Sequence, residues 1–200
     1  MRPKIIGIVG SPRDGNTKFL VSSALKECEK SGIDTELVHL GKMKISPCIC
    51  CDKCRDEECC VIDDDFQKVA EKVIKADGII IGSPVYFGGV SSQLKAFMDR
   101  TRYLRRKEAL KDKVGGAISV GGSRNGGQEY VINQIHNFYL IHGMIVVGDE
   151  KTMHFGGIGW GRKEKDAEKD EIGIETAKNL GRHIASVVLK LRTARSHSHI

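Results

Sequence analysis

Aromatic residues make up only 6% of this 200-residue chain, with one tryptophan, and prolines number four. Basic residues are not interleaved with aromatics, so the pattern of a nucleic-acid-binding surface is missing. No apolar run approaches the ~18–20 residues needed to cross a bilayer. The opening MRPKIIGIVG is too short, and broken too early by Gly7 and Gly10, for a secretory signal. Neither sign of charge dominates: 32 Lys and Arg stand among 26 Asp and Glu, a formal net charge of +6. That mild excess suits an anionic cofactor or an acidic partner better than nucleic acid. The length is expected to give one domain, residues 1–200, whose core needs neither disulfides nor metals to hold.

Cysteine is what the chain has in a peculiar place. Six of its seven cysteines fall between Cys48 and Cys60. An odd number, in a chain without a signal, argues against a disulfide framework. It points to a metal or redox site in a reducing compartment, here expected to be the cytoplasm.

Periodicity predicts alternating strands and helices. Lys4 to Val9 reads as a buried strand ending at Gly10, and Asn16 to Lys30 as a helix closed by Gly32. Thr35 to Leu40 reads as a second strand, more alternating and so nearer an edge. Residues 42–65 fit neither period and form a cysteine-rich insertion. Asp65 is expected to cap a helix from Phe66 to Lys75, and Gly78 to Ser83 is a third strand stopped by Pro84. A helix from Ser91 or Ser92 to Leu104 follows. Then come a strand over 113–120, a helix over 128–141, a strand over 144–147 and a last helix over 173–191. The end, 195–200, is expected to fray. Such alternation predicts an α/β doubly wound parallel sheet, with ligands beyond the carboxyl ends of its strands.

Three glycine-rich loops would meet at that edge: GSPRDGNT, SPVYFGG and GGSRNGGQE. In the first, backbone amides at a helix start favour an anion, and Ser11, Asn16 and Thr17 can add donors. Asn16 stands where a Walker A loop needs lysine, and GxGxxG is absent. A single phosphate monoester is therefore the better guest. The second loop offers Tyr86 and Phe87, with Gly88 and Gly89, for a flat heteroaromatic ring.

Cys48, Cys51 and Cys54 are separated by two residues each, and five residues separate Cys54 from Cys60. Successive short spacings of this kind suit an iron–sulfur cluster, with zinc or no metal as the alternatives. Spacing leaves Cys59 and Cys60 equally open as the fourth ligand. Cys28, on the apolar stripe of its helix, reads as a small buried hydrophobe. His136 and His142 read as helix-surface residues without a catalytic role.

The chain resembles the iron–sulfur flavoproteins, within the flavodoxin-like NAD(P)H-dependent FMN reductase group. The resemblance rests on GSPRDGNT, PCICCDKC…CCVIDDDF, GSPVYFGGVSSQLKAFMDR and GGSRNGGQE. It implies a five-stranded sheet in the order 2-1-3-4-5, FMN and a [4Fe–4S] cluster. It further implies Cys48, Cys51, Cys54 and Cys60 as cluster ligands, because Val61-Ile62-Asp63 follows Cys60. Ser11, Arg13, Asn16 and Thr17 would take the phosphate. Pro84, Val85, Tyr86, Phe87 and Gly88 would take the flavin ring, with Gly121 and Gly122 from the third loop.

The leading functional expectation is electron transfer from a ferredoxin-like donor, steered by the basic segment 100–113, to dioxygen, hydrogen peroxide or a quinone. The alternative is an NAD(P)H-dependent FMN or quinone reductase with structural or vestigial cysteines. A redox sensor ranks below both, since no DNA-binding element is recognisable. The resemblance also implies a homodimer or homotetramer. The long stretch 149–172 is expected to be an extended loop, a candidate interface or lid.

Overall fold

A computed structural model describes residues 2–57 and 59–197. Its strands are β1 (Lys4–Val9), β2 (Asp34–His39), β3 (Gly78–Pro84), β4 (Val114–Gly121), β5 (Ile145–Val146) and β6 (Gly157–Trp160). Its helices are α1 (Asn16–Lys30), α2 (Phe66–Lys75), α3 (Ser92–Arg100), α4 (Arg102–Arg106), α5 (Gln128–Ile141) and α6 (Glu171–His197). The sheet is wholly parallel in the order β2-β1-β3-β4-β5, with β6 also paired to β4. This is the expected flavodoxin-like order, with β2 at the edge.

The fifth position in the sheet is shared by two short strands. β5 pairs with Val114 and Gly115, and β6 pairs further along β4, from Ile118 to Gly121. The stretch 149–172 is therefore not loop throughout: it contains β6 and a 3₁₀ turn at Asp166–Lys169. A four-residue strand with two glycines carries too little apolar pattern to be read. The glycines are there because neighbours come close. A Cβ on Gly159 would lie 2.3 Å from Leu20 Cδ1, and one on Gly157 would lie 2.9 Å from Ile118 Cγ1.

Two apolar layers sandwich the sheet. One joins Leu20, Val21, Ala24 and Leu25 of α1 to Leu180, Ile184 and Val188 of α6. The other joins Phe66, Val69 and Val73 of α2 to Leu94, Phe97, Ile135 and Tyr139. Gly115 and Gly116 admit these layers closely, as their sequence context suggests. Their Cβ atoms would fall 2.7 Å from Tyr139 Cδ2 and 2.4 Å from Ile184 Cδ1. Cys28 is buried, its Sγ lying 3.4 Å from the Gly181 carbonyl, and burial pushes its thiol up to about 12.

Several local expectations need correction. The helix expected to reach Leu104 breaks at Thr101, whose hydroxyl bonds back to the Met98 carbonyl (2.7 Å). Phe66 N–H donates to Asp64, at 3.0 Å, whereas the Asp65 side chain makes no cap at α2 and accepts from Lys44 N–H instead. α6 starts at Glu171 and continues to His197, past the expected fraying point; residues 198–200 lie outside those described.

His142 is not a surface residue. It is 4% exposed, packs on Phe138 with centroids 4.7 Å apart, and meets Thr101 Oγ1 at 2.9 Å. Burial, helped by Arg105, lowers its pKa from 6.5 to about 4. Between those values the unfolded chain binds more protons, so this residue costs stability as pH falls through the window. Asp14, held at about 2, titrates below it. Thermal melts of His142→Asn are expected to fall less steeply from pH 6.5 to 4 than the parent's; parallel curves would contradict the assignment.

Candidate functional site: a phosphate-loop cavity and a clamped cysteine loop

The carboxyl ends of β1, β3 and β4 open into a cavity of about 430 Å³ lined by Ser11–Thr17 residues, Pro84, Val85, Tyr86 and Gly122, and by Gly161–Glu164. That volume suits a mononucleotide-sized guest. α1 begins at the cavity with no side-chain cap and no acidic residue in its first turn, leaving its end positive. Thr17 turns its methyl carbon toward Gly82, where a Cβ would sit 3.1 Å away, so its hydroxyl is left for the cavity. Asp14, the one carboxylate on the phosphate loop, is offset by Lys18 and Lys42, each 2.8 Å away. Their hydrogen bonds hold its pKa at about 2.

The loop is braced from behind. The Ser11 hydroxyl donates to the Arg13 carbonyl and accepts from Arg13 N–H, at 2.9 and 3.1 Å. The Ser11 carbonyl meets His39 Nε2 at 2.8 Å, which ties β2 to the loop. Ser91 donates to the Gly10 carbonyl and accepts from Leu94 N–H, capping α3 against the same turn.

Asn16 lines the cavity and also carries a second task. Its Nδ2 donates to the Lys163 carbonyl (2.8 Å), and its Oδ1 accepts from Ala167 N–H (3.1 Å). One amide hydrogen and the amide oxygen tether the β6–α6 connection, which brings Arg162 and Lys163 to the cavity wall. Sequence alone does not point to Arg162 and Lys163, because the strand that delivers them, β6, carries no readable period.

Pro84, Val85 and Tyr86 reach the cavity, but Phe87 does not. Tyr86 and Gly89 exchange two backbone bonds of 2.9 Å, making a hairpin with Phe87 and Gly88 at its tip, at φ 50° and 74°. Phe87 is fully exposed there. Gly121 is also absent from the wall. It lies under Gln128, whose Nε2 would be 2.6 Å from an added Cβ, and its carbonyl accepts from Gly161 N–H (2.9 Å).

The cysteine loop is anchored at both ends by one buried ion pair. Arg100 and Asp64 have side chains 0% and 3% exposed, and Arg100 Nη1 lies 2.6 and 2.7 Å from the two carboxylate oxygens. Arg100 also donates to the carbonyls of Ser46, before the cysteines, and Ile62, after them. Asp64 accepts from Ser46 N–H (2.8 Å), and the guanidinium lies 4.4 Å over the Phe66 ring. Burial raises the Asp64 pKa, yet its bonds from Ser46, Arg100 and Phe66 outweigh that and keep it low. Arg102 pairs with Asp52, and Arg106 donates to the Arg55 carbonyl (3.1 Å), so α4 underlies the loop. Three cations of the basic segment thus serve the loop directly.

Cys48, Cys50, Cys51, Cys54 and Cys60 line one hollow with Ile62, Arg100 and Arg102, and Cys59 stays outside its lining. Cys50 adopts φ 52°, and its N–H points to Cys48 Sγ at 3.5 Å. Among the described residues, no three His, Cys, Asp or Glu side chains are gathered to hold a single metal ion. A donor is nonetheless held in reserve: Arg100 Nε is buried with no hydrogen-bond partner. Soft thiolates beside an unspent cationic donor fit a cluster of irons and sulfides.

The sheet order, with a cavity at the carboxyl ends of β1, β3 and β4, defines a flavodoxin-like protein, and solved structures agree on the fold. RosB has a TM-score of 0.74 at 18% identity, covering 96% of this chain and 81% of its own. A WrbA-like protein from Agrobacterium tumefaciens has a TM-score of 0.66 at 19% identity, covering 95% and 99%. The NADPH-dependent FMN reductase family model matches residues 3–156. An iron-sulfur flavoprotein of Methanocaldococcus jannaschii is 56% identical, covering 92% of this chain and 97% of its own. Another, from Methanosarcina thermophila, is 48% identical, covering 92% and 95%. The chain belongs to the NADPH-dependent FMN reductase family, in its iron–sulfur flavoprotein branch. It is a flavin-dependent oxidoreductase, and the cofactors of that branch are FMN and an iron–sulfur cluster. No helix among the described residues is long and apolar enough to cross a membrane.

Proposed function

We propose that this chain is an electron-transfer flavoprotein that joins a [4Fe–4S] cluster to FMN. A cluster exchanges single electrons while FMN takes one or two, so the pair supplies conversion between the two kinds of transfer. The observation that carries the reading is the clamped hollow, into which Cys48, Cys50, Cys51, Cys54 and Cys60 open and Cys59 does not. Of these five, Cys48, Cys51, Cys54 and Cys60, the four at the spacing of the family motif, are the assigned ligands. Thr17, Arg13 and the first-turn amides of α1 bind the phosphate, with Arg162 and Lys163 of the same lining adding positive charge. Pro84, Val85 and Tyr86 hold the ring edge. Asn16 acts by fixing the Arg162–Lys163 segment, and Ser11 by shaping the turn. Asn16→Ala removes two hydrogen bonds, about 1–2 kcal/mol, and is expected to weaken FMN roughly tenfold. Fluorescence titration of the flavin-free protein measures this; unchanged FMN affinity would contradict the tether.

A ferredoxin-like donor supplies the electrons and dioxygen, hydrogen peroxide or a quinone removes them. Arg105, Arg106 and Lys107 are exposed on and beside α4, next to the cysteine loop, where they attract an acidic donor. The protein works as a homodimer or homotetramer. A second reading, an NAD(P)H-dependent FMN or quinone reductase, draws on the matched family model and on an NAD(P)H dehydrogenase (quinone) of Geotalea daltonii that is 33% identical over 62% of this chain. Anaerobic stopped-flow reduction separates the two. Rapid bleaching by reduced ferredoxin, slowed by added salt, is the expected result. Rapid bleaching by NADPH with none by ferredoxin favours the second reading.

A further inference from the structure

We infer that Arg100 is a positioning residue of the cluster site, with its Nε–H held as a hydrogen-bond donor to a sulfur of the cluster or of its cysteine ligands. The inference rests on the cluster reading above. The other two nitrogens of this guanidinium each have a protein partner: Nη1 donates to Asp64 and Ser46, and Nη2 to Ile62. Nε alone has no partner, although the side chain is 0% exposed and lines the cysteine hollow. A buried donor left unmade costs free energy, and a cationic one more, so a resident acceptor of negative charge is what the site asks for. The thiols in the same hollow are the acceptors at hand. Stacking on Phe66 and the bonds of Nη1 to Asp64 and of Nη2 to Ile62 prevent the plane from turning, which gives the donor one direction. The residue that closes the loop ends therefore also acts on the charge of what the loop encloses.

Hydrogen bonds and net charge near the sulfurs set the reduction potential of such clusters. A donor to sulfur favours the reduced, more negative state and raises the potential. The test compares anaerobically purified holoproteins by iron and sulfide counts, thermal melting and an EPR-monitored redox titration. Arg100→Lys keeps a cation opposite Asp64 but has no Nε–H. It is expected to retain its iron and to shift the cluster potential downward. Asp64→Asn keeps Arg100 and removes the compensating charge, so its potential is expected to shift upward. A loaded Arg100→Lys protein at the parent's potential would overturn the inference. Should that variant fail to fold or to load, Asp64→Asn decides, and the parent's potential there would overturn it equally. A parent protein without iron fails the cluster reading itself, and its iron count tells the two failures apart.

Discussion

Cys60→Ser is expected to strip the protein of nearly all its iron while leaving FMN bound, and Cys59→Ser is expected to keep both. The two cysteines are adjacent in sequence, and only their surroundings differ. Cys60 opens into the hollow shared by Cys48, Cys51 and Cys54, and the neighbouring Ile62 carbonyl is fixed by Arg100. Cys59 is exposed and lies outside that lining. A serine hydroxyl is a poor substitute for thiolate toward iron, so one lost ligand empties the site. The cavity proposed for FMN shares no lining residue with the hollow, which is why the flavin is expected to stay. Equal iron in the two variants, or loss in Cys59→Ser alone, would reassign the fourth ligand.

Asp64→Ala is expected to be the most destabilising single exchange in this region. It leaves the Arg100 guanidinium buried without its counter-charge and frees Ser46 N–H and Phe66 N–H at the same stroke. Breaking a buried pair from one side costs about 3–5 kcal/mol. For a chain of this length that is a fall of roughly 6–20 °C in melting temperature. Iron content is expected to fall with it, because both ends of the cysteine loop are released. Thermal melting of the two proteins checks this, and a shift within about 2 °C of zero would show that water, not Asp64, balances the arginine.

Much of this architecture is written locally. α1, α2 and α5 start and stop where their apolar spacing and flanking glycines or acidic residues say they should, and the three glycine-rich loops do share one sheet edge. The cysteine insertion announces itself by composition. What sequence conceals is whatever depends on a distant partner. Nothing near Asn16 tells that its amide is occupied 147 residues away at Lys163. Three consecutive aspartates, 63 to 65, look alike until Arg100 comes over Phe66 and buries Asp64 alone. Arg100 itself reads as part of the basic segment 100–113, and His142 as a surface residue, because the walls that bury them come from other elements. β6 escapes notice because its glycines record the closeness of Leu20 and Ile118 rather than any strand periodicity.

The most direct measurement is an ultraviolet–visible spectrum with iron, sulfide and flavin counts on the full chain purified without air. The expected outcome is a brown protein with iron and sulfide in the ratio of a [4Fe–4S] cluster and one FMN per chain, bleaching in both chromophores when reduced. A yellow protein with flavin but no iron, or with zinc on its cysteines, would contradict the joining of the two cofactors.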